Sequence, residues 1–353
     1  MPRIASVASV LAPHRYEQPQ ITAAFGDLVT PDPGDRARLE RLHAATGVRS
    51  RHLVLPLEAY PELDFTRANE QFVEHAVTMA GDAVTEALGR AGLAAADVDL
   101  LMSTTVTGVA APSIDARLVD PLALRSDVKR LPLFGLGCVA GAAGIARAAD
   151  YLQGHPDDVV VLVSVELCSL TVQRDDASMA NLVASGLFGD GSAAVVMVGE
   201  RRARVMGVHG PRVVASRSRF FPDTSRVMGW DVGGTGFKVV LAPTVADLVR
   251  THLGADMKEF LAEHDLDARD VVRWVAHPGG PKVLEAMQDA LELHDGELAV
   301  TWQSLGQVGN LSSASVLHVL QQTIDLAPPG TGLPAVMLAM GPGFCAELVL
   351  LDW

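Results

Sequence analysis

The feature that most constrains the fold of this chain is a series of short, predominantly apolar runs separated by alanine-rich stretches. The runs include VVVLVSVEL at 159–167, SAAVVMVG at 192–199 and PAVMLAM at 334–340. A strand without polar alternation is typical of a sheet that is covered on both faces. Helices are predicted at 68–94 and 244–264, so strands and helices alternate along the chain. The sequence therefore predicts an α/β fold with buried, mixed sheets.

The two parts of the chain share a pattern. The lead-in to the predicted strand at Leu100, AGL followed by DVD, resembles FLAEHDLDARDVVRW, which leads into the predicted strand at Val272. We therefore expect two related halves, 1–210 and 211–353, and 353 residues are enough for two substantial cores. The N-terminal run predicts a first strand, and GDLVTPDPGDRARLE predicts a loop that leads into a helix.

Composition excludes several classes of function. A net charge of −14 disfavours nucleic acid or an anionic membrane as the main partner. Three scattered cysteines do not predict a disulfide framework or a zinc site, and they fit a reducing cytoplasm. The uncharged run at 131–146 is too short and too rich in glycine to cross a membrane.

A lone cysteine, Cys138, lies in the stretch LPLFGLGCVAGAAGIARAAD. A helix is predicted to follow it, so the thiol is expected near unpaired N–H groups and the positive end of a helix dipole, which favour the thiolate. Gly137, Gly141 and Gly144 leave room for an acyl group. Taken alone, however, a free cysteine is more often a small core residue than a nucleophile.

Two more polar residues stand at glycine-rich ends of predicted elements. His277 follows the apolar strand RWVA and precedes PGGP, a position that suits a general acid or base. A satisfied core histidine is the alternative. Asn310 precedes the serine-rich start of a helix in GNLSSAS, where a cap or turn residue is the simpler interpretation of Asn310 alone.

Together, Cys138, His277 and Asn310 form a nucleophile with two polar assistants. A papain-like protease has the same residue order and a Cys–His spacing of about 130–150 residues, which this chain matches. The protease cysteine, however, lies near the N-terminus of a secreted chain and beside an aromatic residue. Cys138 lies in mid-chain without an aromatic neighbour, so the set favours decarboxylative Claisen condensation of acyl thioesters.

Five motifs support that chemistry. They occur in order and span residues 100 to 350: GLGCVAGAAG, LFGDGSAAVVMVG, VAHPGGPKVL, GNLSSASVL and GPGF. This series resembles that of the type III polyketide synthases, the chalcone synthase family, in its bacterial form. The resemblance implies a thiolase-like five-layer αβαβα fold built from two related halves, the first carrying Cys138 and the second His277 and Asn310. It also implies a homodimer that acts on coenzyme A thioesters.

The implied mechanism needs no metal or redox cofactor. Cys138, as a thiolate paired with His277, takes the starter acyl group from acyl-CoA. His277 and Asn310 hold the thioester carbonyl of malonyl-CoA while carbon dioxide leaves, because the enolate oxygen needs donors already in place. The enolate attacks the acyl group, the cycle repeats, and cyclisation gives a pyrone or resorcinol-type product.

The resemblance also implies which residues line the pocket. Phe188 and Phe237 match two gatekeeper phenylalanines that exclude water, although core packing explains Phe188 equally well. Met228 replaces a glycine and is expected to narrow the pocket on one side. Ala111 replaces a larger residue at the dimer-facing edge and is expected to widen the pocket there. These departures are compatible with an aliphatic starter. The remaining pocket positions are Val106, Cys168, Met340, Gly341, Pro342 and Gly343.

Arg38 and Arg41 match basic positions that hold the phosphates of coenzyme A in the family. A third basic position is Ala45 here, and Lys282 is a candidate to assist. A solvated basic helix face is the alternative interpretation of these residues.

Three other functions stay open at this point. A ketoacyl synthase of fatty-acid initiation also uses Cys, His and Asn, but it normally has H-Q-A-N where this chain has HPGG, and it depends on acyl carrier protein. A non-catalytic thiolase-fold module that only binds acyl-CoA would have a slowly alkylated thiol. A protease would cleave peptides. The favoured interpretation is a cytoplasmic acyltransferase that needs no carrier protein.

Overall fold

The computed structural model describes residues 1–30, 32–174, 176–330 and 332–353. The strands are β1 (Arg3–Leu11), β2 (His14–Glu17), β3 (Ser50–Leu53), β4 (Leu100–Thr105), β5 (Lys129–Phe134), β6 (Val159–Leu167), β7 (Asp190–Val198), β8 (Arg212–Phe220), β9 (Met228–Gly233), β10 (Gly236–Leu241), β11 (Arg273–Ala276), β12 (Pro334–Gly341) and β13 (Cys345–Asp352). The helices are α1 (Gln18–Val29), α2 (Pro33–Ala45), α3 (Phe65–Ala91), α4 (Ile114–Leu118), α5 (Ala140–Gly154), α6 (Met179–Leu187), α7 (Glu200–Met206), α8 (Val245–Ala262), α9 (Pro281–Leu291), α10 (Ala299–Val308) and α11 (Ser313–Leu326).

Nine strands form one mixed sheet in the order β11-β12-β13-β8-β1-β7-β6-β4-β5. The strands on the two sides of this sheet repeat one pattern of parallel and antiparallel neighbours. In the first half β4 is parallel to β6, β6 is antiparallel to β7, and β7 is antiparallel to β1. In the second half β11 is parallel to β12, β12 is antiparallel to β13, and β13 is antiparallel to β8. The two sides of the sheet therefore repeat one arrangement, whereas the boundary between halves at residues 210 and 211 stays a prediction.

Helices cover the sheet in layers. Helix α3 packs on the outer face of the first half, against β1, β6 and β7. Helices α8 and α9 pack together over the outer face of the second half. Between the halves lie α5 and α11, each of which contacts strands of both. The order helix, sheet, helix, sheet, helix is the five-layer arrangement that the family resemblance implies.

The apolar runs became buried strands. Every residue of β6 and β7 is buried, as predicted for strands covered on both faces. Each fully buried Val or Leu contributes about 1.5–3 kcal/mol through removal of apolar surface from water. The predicted helix at 68–94 instead begins at Phe65, because the Asp64 carboxylate caps it by accepting from the Arg67 N–H at 2.8 Å. It ends at Ala91 because Gly92 takes the left-handed conformation.

One loop prediction was wrong. The segment GDLVTPDPGDRARLE was expected to be a loop before a helix, but its first residues continue α1 to Val29, and α2 begins at Pro33. Proline is compatible with the first turn of a helix, where its missing N–H costs nothing, and Asp32 caps that turn through the Gly34 N–H. Residue 31 lies outside the described part of the chain.

None of the helices in the described residues has both the length and the apolar character that a membrane crossing needs.

The contact between α5 and α11 predicts how one glycine affects stability. A Cβ added at Gly141 of α5 would lie 2.4 Å from the Ser313 carbonyl oxygen, a backbone atom that cannot move freely. We expect Gly141→Ala to lower the free energy of unfolding by about 1–3 kcal/mol, measured by urea denaturation. Gly89→Ala is the matched control in a helix, since nothing lies within 4 Å of its added Cβ. Equal midpoints for the two variants would contradict this account of the packing.

Candidate active site

The Cys138 turn is shaped by glycine. After β5, the chain passes through a short 3-10 turn, Gly137–Val139, directly into α5. Gly137 has a φ of +56°, and a Cβ there would lie 2.6 Å from the ring of Pro342. Glycine is therefore required both for the backbone conformation and for the close approach of the turn to the chain segment after β12.

The Cys138 thiol donates a hydrogen bond to the Ser312 hydroxyl, with 3.6 Å between Sγ and Oγ. Burial raises the pKa of the thiol to about 12, while hydrogen bonding with the Ser312 and Asn310 side chains acts in the opposite direction. The position before a helix favours the thiolate, as expected, but in the free chain it does not set the protonation state. Burial outweighs it, so a thiolate here needs a further partner.

His277 follows the last residue of β11 at one edge of the buried sheet. Its backbone N–H donates to the Leu338 carbonyl on β12 at 2.9 Å, and Gly279 and Gly280 then turn the chain into α9. The side chain is buried, yet neither ring nitrogen has a hydrogen-bond partner. Burial lowers the pKa of the ring to about 3. Without a charged partner the imidazole of His277 is therefore neutral at pH 7, and both of its nitrogens are available to a substrate or to the Cys138 thiol.

Asn310 is fixed from several directions. Its Oδ1 accepts from the Ser312 N–H at 2.8 Å and from the Ser315 hydroxyl at 3.3 Å. With the carbonyl end of the amide occupied, the NH2 end is left for the thiol, whose pKa it lowers. The backbone of Asn310 pairs with the chain around Phe188, since its N–H donates to the Leu187 carbonyl at 2.9 Å and its carbonyl accepts from Gly189 at 2.9 Å.

These contacts bring the three residues to one end of the sheet. The Cys138 turn packs against Gly341 and Pro342, at the end of the same strand that binds the His277 backbone. The side chain of Leu187, whose carbonyl holds Asn310, lies 3.5 Å from the Cβ position of Gly280. The Cys138 thiol and the Asn310 amide thus lie together, and strand β12 connects the Cys138 turn to the backbone of His277.

Comparison with known proteins identifies the family. The model of chalcone and stilbene synthases matches with its N-terminal domain over residues 15–201 and with its C-terminal domain over residues 212–352. The chain belongs to the type III polyketide synthases. A 1,3,6,8-tetrahydroxynaphthalene synthase of Streptomyces peucetius subsp. caesius is 55% identical over 99% of this chain and 93% of its own length.

Other similar proteins support the same family assignment. A phloroglucinol synthase of Pseudomonas fluorescens is 30% identical over 96% of each chain. The crystal structure of the 1,3,6,8-tetrahydroxynaphthalene synthase of Streptomyces coelicolor A3(2), a bacterial type III polyketide synthase, superimposes with a TM-score of 0.93. It is 30% identical and covers 99% of both chains. The thiolase-like fold and the condensing-enzyme function are confirmed, and the ketoacyl synthase, protease and binding-module alternatives are set aside.

The two predicted gatekeepers of this type III polyketide synthase differ in exposure. Phe237 is buried on β10, where its ring meets Phe65 and Trp230 edge-on, with centroids 5.8 and 6.2 Å apart. It lines a cavity of about 330 Å³ together with Thr107. Phe188, partly exposed, lies between the two residues that pair with Asn310 and therefore stays close to the site.

The other predicted pocket residues lie on several different elements, and one of them, Cys168, lines a small cavity with Phe188. Cys168 is buried in a 3-10 turn at the end of β6, and Met228 opens β9, where its carbonyl accepts from the Gly343 N–H at 3.3 Å. Val106 is buried after β4, whereas Ala111 is exposed on the single chain. The remaining segment ends β12 and turns into β13: Met340, Gly341, Pro342 and Gly343.

Glu166 is a residue that sequence reasoning missed. Its buried carboxylate accepts from the Val106 N–H at 3.0 Å, the Thr107 hydroxyl at 3.0 Å and the Ser313 hydroxyl. Burial raises the pKa of Glu166, and its charge in turn raises the pKa of Cys138. The signal was a single acidic residue within an otherwise apolar strand, since a buried carboxylate needs several donors.

The predicted coenzyme A residues lie outside this cluster. Arg38 and Arg41 lie on α2, and Lys282 lies exposed in the first turn of α9. Within the described part of the chain, no side-chain hydrogen bond or ion pair engages any of the three. No carboxylate in the described residues therefore neutralises these three charges.

The opposite pKa shifts of the thiol and the imidazole predict how His277 affects reactivity. Without the imidazole, the raised pKa of Cys138 is uncompensated, so little thiolate exists at pH 7. We expect His277→Ala to slow alkylation of Cys138 by iodoacetamide at pH 7 by at least about tenfold. The rate should then rise about tenfold per pH unit to pH 9.5 without a plateau.

The control is the native protein, in which the imidazole can accept the thiol proton and a plateau is expected at lower pH. A wild-type alkylation profile in His277→Ala would show that the two groups are not coupled.

Proposed function

We propose that Cys138 carries the growing acyl chain and that His277 and Asn310 hold the thioester carbonyl of malonyl-CoA. The observation that supports this division of roles most directly is the hydrogen bonding of the His277 and Asn310 side chains. Both ring nitrogens of buried His277 lack a partner, and the Asn310 amide has its carbonyl end occupied, which leaves its NH2 end on the side of the Cys138 thiol. Donors that are oriented before the substrate arrives stabilise an enolate oxygen without reorganisation.

The steps follow from these positions. The thiol proton moves to His277, and the sulfur attacks the acyl-CoA carbonyl and releases coenzyme A. Malonyl-CoA then replaces coenzyme A. Its carboxylate leaves as carbon dioxide, and the electron pair moves onto the thioester oxygen held by His277 and Asn310. The enolate carbon attacks the Cys138 thioester, forms a carbon–carbon bond and expels the thiolate, which can accept the lengthened chain.

We propose 1,3,6,8-tetrahydroxynaphthalene as the product class, because the relative at 55% identity makes that compound by its name and aligns with almost the whole chain. Each ring of the compound carries a resorcinol-type pair of hydroxyls, so it falls within the expected products. Its ten ring carbons correspond to five two-carbon units. Malonyl-CoA therefore suffices as both starter and extender, in place of an aliphatic starter.

The remaining assignments are proposals on weaker support. Arg38, Arg41 and Lys282 bind the phosphates of coenzyme A, and the pocket is lined by the positions described above. The two halves divide near residue 210. The chain forms a homodimer, supported by the edge strand β5, which pairs on one side only and exposes Leu131 and Phe134. It acts in the cytoplasm without metal, redox cofactor or acyl carrier protein.

The substrate proposal predicts that the purified protein makes product from malonyl-CoA alone. Mass spectrometry of the reaction should show tetrahydroxynaphthalene or its oxidation product, and adding a panel of aliphatic acyl-CoA starters should not raise the yield. Cys138→Ala is the control and should give no product. Product that forms only with an added starter, or a pyrone as the main product, would refute the assignment.

The assigned roles predict that Asn310→Ala separates two steps. Loss of one enolate donor should slow malonyl-CoA decarboxylation by about 10²–10³-fold. Acyl loading onto Cys138, followed with a labelled acyl-CoA and intact-protein mass spectrometry, should change much less. Equal losses in both steps would refute the division of labour between Cys138 and Asn310.

A further inference from the structure

The last turn of α6 ends against the candidate active site, and its final carbonyl groups are all engaged from outside the helix. The Ser185 carbonyl accepts from Arg51 Nη2 at 2.7 Å, and the Gly186 carbonyl accepts from Gln18 Nε2 at 2.8 Å. The Leu187 carbonyl accepts from the Asn310 N–H at 2.9 Å. The Phe188 carbonyl accepts from Arg51 Nη1 at 2.6 Å. A helix end normally leaves such groups without intrahelical partners.

Arg51 is the centre of this arrangement. It is 1% exposed, and its third donor, Nε, reaches the Gln18 Oε1 at 3.1 Å. Burial lowers the pKa of Arg51 only to about 10, so the guanidinium stays charged at neutral pH. The compensating charge is the buried Asp190, which raises that pKa. Asp190 is itself held by the N–H groups of Val54 and Ser169, each at 2.8 Å.

A fixed cation at this place has a physical reason. The C-terminal end of a helix carries partial negative charge, which a cation stabilises. The planar guanidinium can bond two carbonyls at once in a fixed geometry, which an ammonium cannot. Arg51 therefore sets the position of the Ser185–Phe188 turn more rigidly than water or a single donor would.

The same turn sets the position of Asn310. The Asn310 N–H and carbonyl are both bonded within the segment from Leu187 to Gly189. The preceding residue, Gly309, has a φ of +72°, and a Cβ there would lie 2.5 Å from the Leu187 carbonyl oxygen and 3.2 Å from Arg51 Cγ. The backbone that carries Asn310 thus lies directly against both the helix end and the stem of Arg51.

We propose that Arg51 is a positioning residue for Asn310 and Phe188, which clamps the end of α6 so that the Asn310 amide stands at the place where the enolate oxygen develops. This inference rests on the role of Asn310 proposed above. Arg51 touches no substrate; it acts through the two carbonyls of Ser185 and Phe188. Because donors must be placed to within a fraction of an ångström, a small shift of this turn weakens enolate stabilisation more than thiol reactivity.

The test is Arg51→Lys, which keeps the charge but replaces the planar, two-nitrogen guanidinium by a single ammonium nitrogen on a flexible stem. The expected result is a fall in kcat for malonyl-CoA decarboxylation of at least about tenfold, with KM for malonyl-CoA within about twofold. The rate of Cys138 alkylation should stay within about twofold. The matched control is Arg49→Lys, two residues away and exposed, which should leave all three measurements unchanged.

A milder variant guards against misfolding. Gln18→Leu removes the bond to the Gly186 carbonyl and one acceptor of Arg51, and we expect about a threefold fall in decarboxylation kcat with unchanged alkylation. If Arg51→Lys does not fold, the decarboxylation and alkylation rates of Gln18→Leu test the proposal in its place. Unchanged decarboxylation in the folded variants overturns the proposal. So does a parallel loss of decarboxylation and alkylation, which a merely structural role predicts.

Asn310→Ala, assayed in parallel, separates this inference from the proposed function. Loss of decarboxylation in Asn310→Ala but not in Arg51→Lys overturns only the role of Arg51. Normal decarboxylation in Asn310→Ala overturns the role of Asn310 itself, and the inference drawn from it falls as well.

Discussion

The close contact between α5 and α11 is the constraint on which the rest of the structure depends. These helices form the central layer, and each must touch strands of both sheet halves. Gly141 allows α5 to approach the backbone of Ser313 at the start of α11. Because the two helices begin at the same end of the molecule, the residues just before them meet. The Sγ atom of Cys138 lies 3.6 Å from the Oγ atom of Ser312. The nucleophile and the amide are neighbours because two helix N-termini are packed together.

That packing places ionisable groups where water cannot solvate their charges. The thiol and the imidazole are each driven towards neutrality, as their pKa values of about 12 and about 3 show. An ion pair between them gains mutual attraction that neither group has alone. Under the proposed mechanism, the two groups are a neutral pair at rest and a charged pair when the sulfur attacks. Glu166 and Arg51 are tolerated in the same interior because hydrogen bonds satisfy them on several sides.

The sequence predicted most of the fold because burial on both faces leaves a strong local signature. The apolar runs of β6 and β7 needed no tertiary information, and the repeated lead-ins to β4 and β11 indicated the two halves. The loop at 26–40 was predicted wrongly because proline is both a helix breaker and a good first residue of a helix, and only the surrounding packing decides between them.

The candidate site was less visible in the sequence. Cys138, His277 and Asn310 stand out through their glycine-rich contexts, but the sign of the Cys138 pKa shift could not be read from its position before a helix. It depends on how much protein surrounds the sulfur, which is a three-dimensional quantity. Arg51 gave no signal, because an arginine in SRHL is ordinary until its two carbonyl partners, 134 and 137 residues away, are known.

Charge adds a further constraint on the substrate. The chain carries a net charge of −14, yet coenzyme A thioesters are polyanions, so the overall field opposes their approach. Many arginines cannot help, because carboxylates already neutralise them, as Asp27 and Glu40 do for Arg36. Arg38 and Arg41 on the same helix are free of such pairs in the described residues. A local, unneutralised patch of this kind attracts phosphate within about a Debye length, roughly 8–10 Å at physiological salt. If Arg38 and Arg41 bind coenzyme A as proposed, capture of the substrate weakens as salt rises, whereas the chemistry proposed at the Cys138 thiol does not.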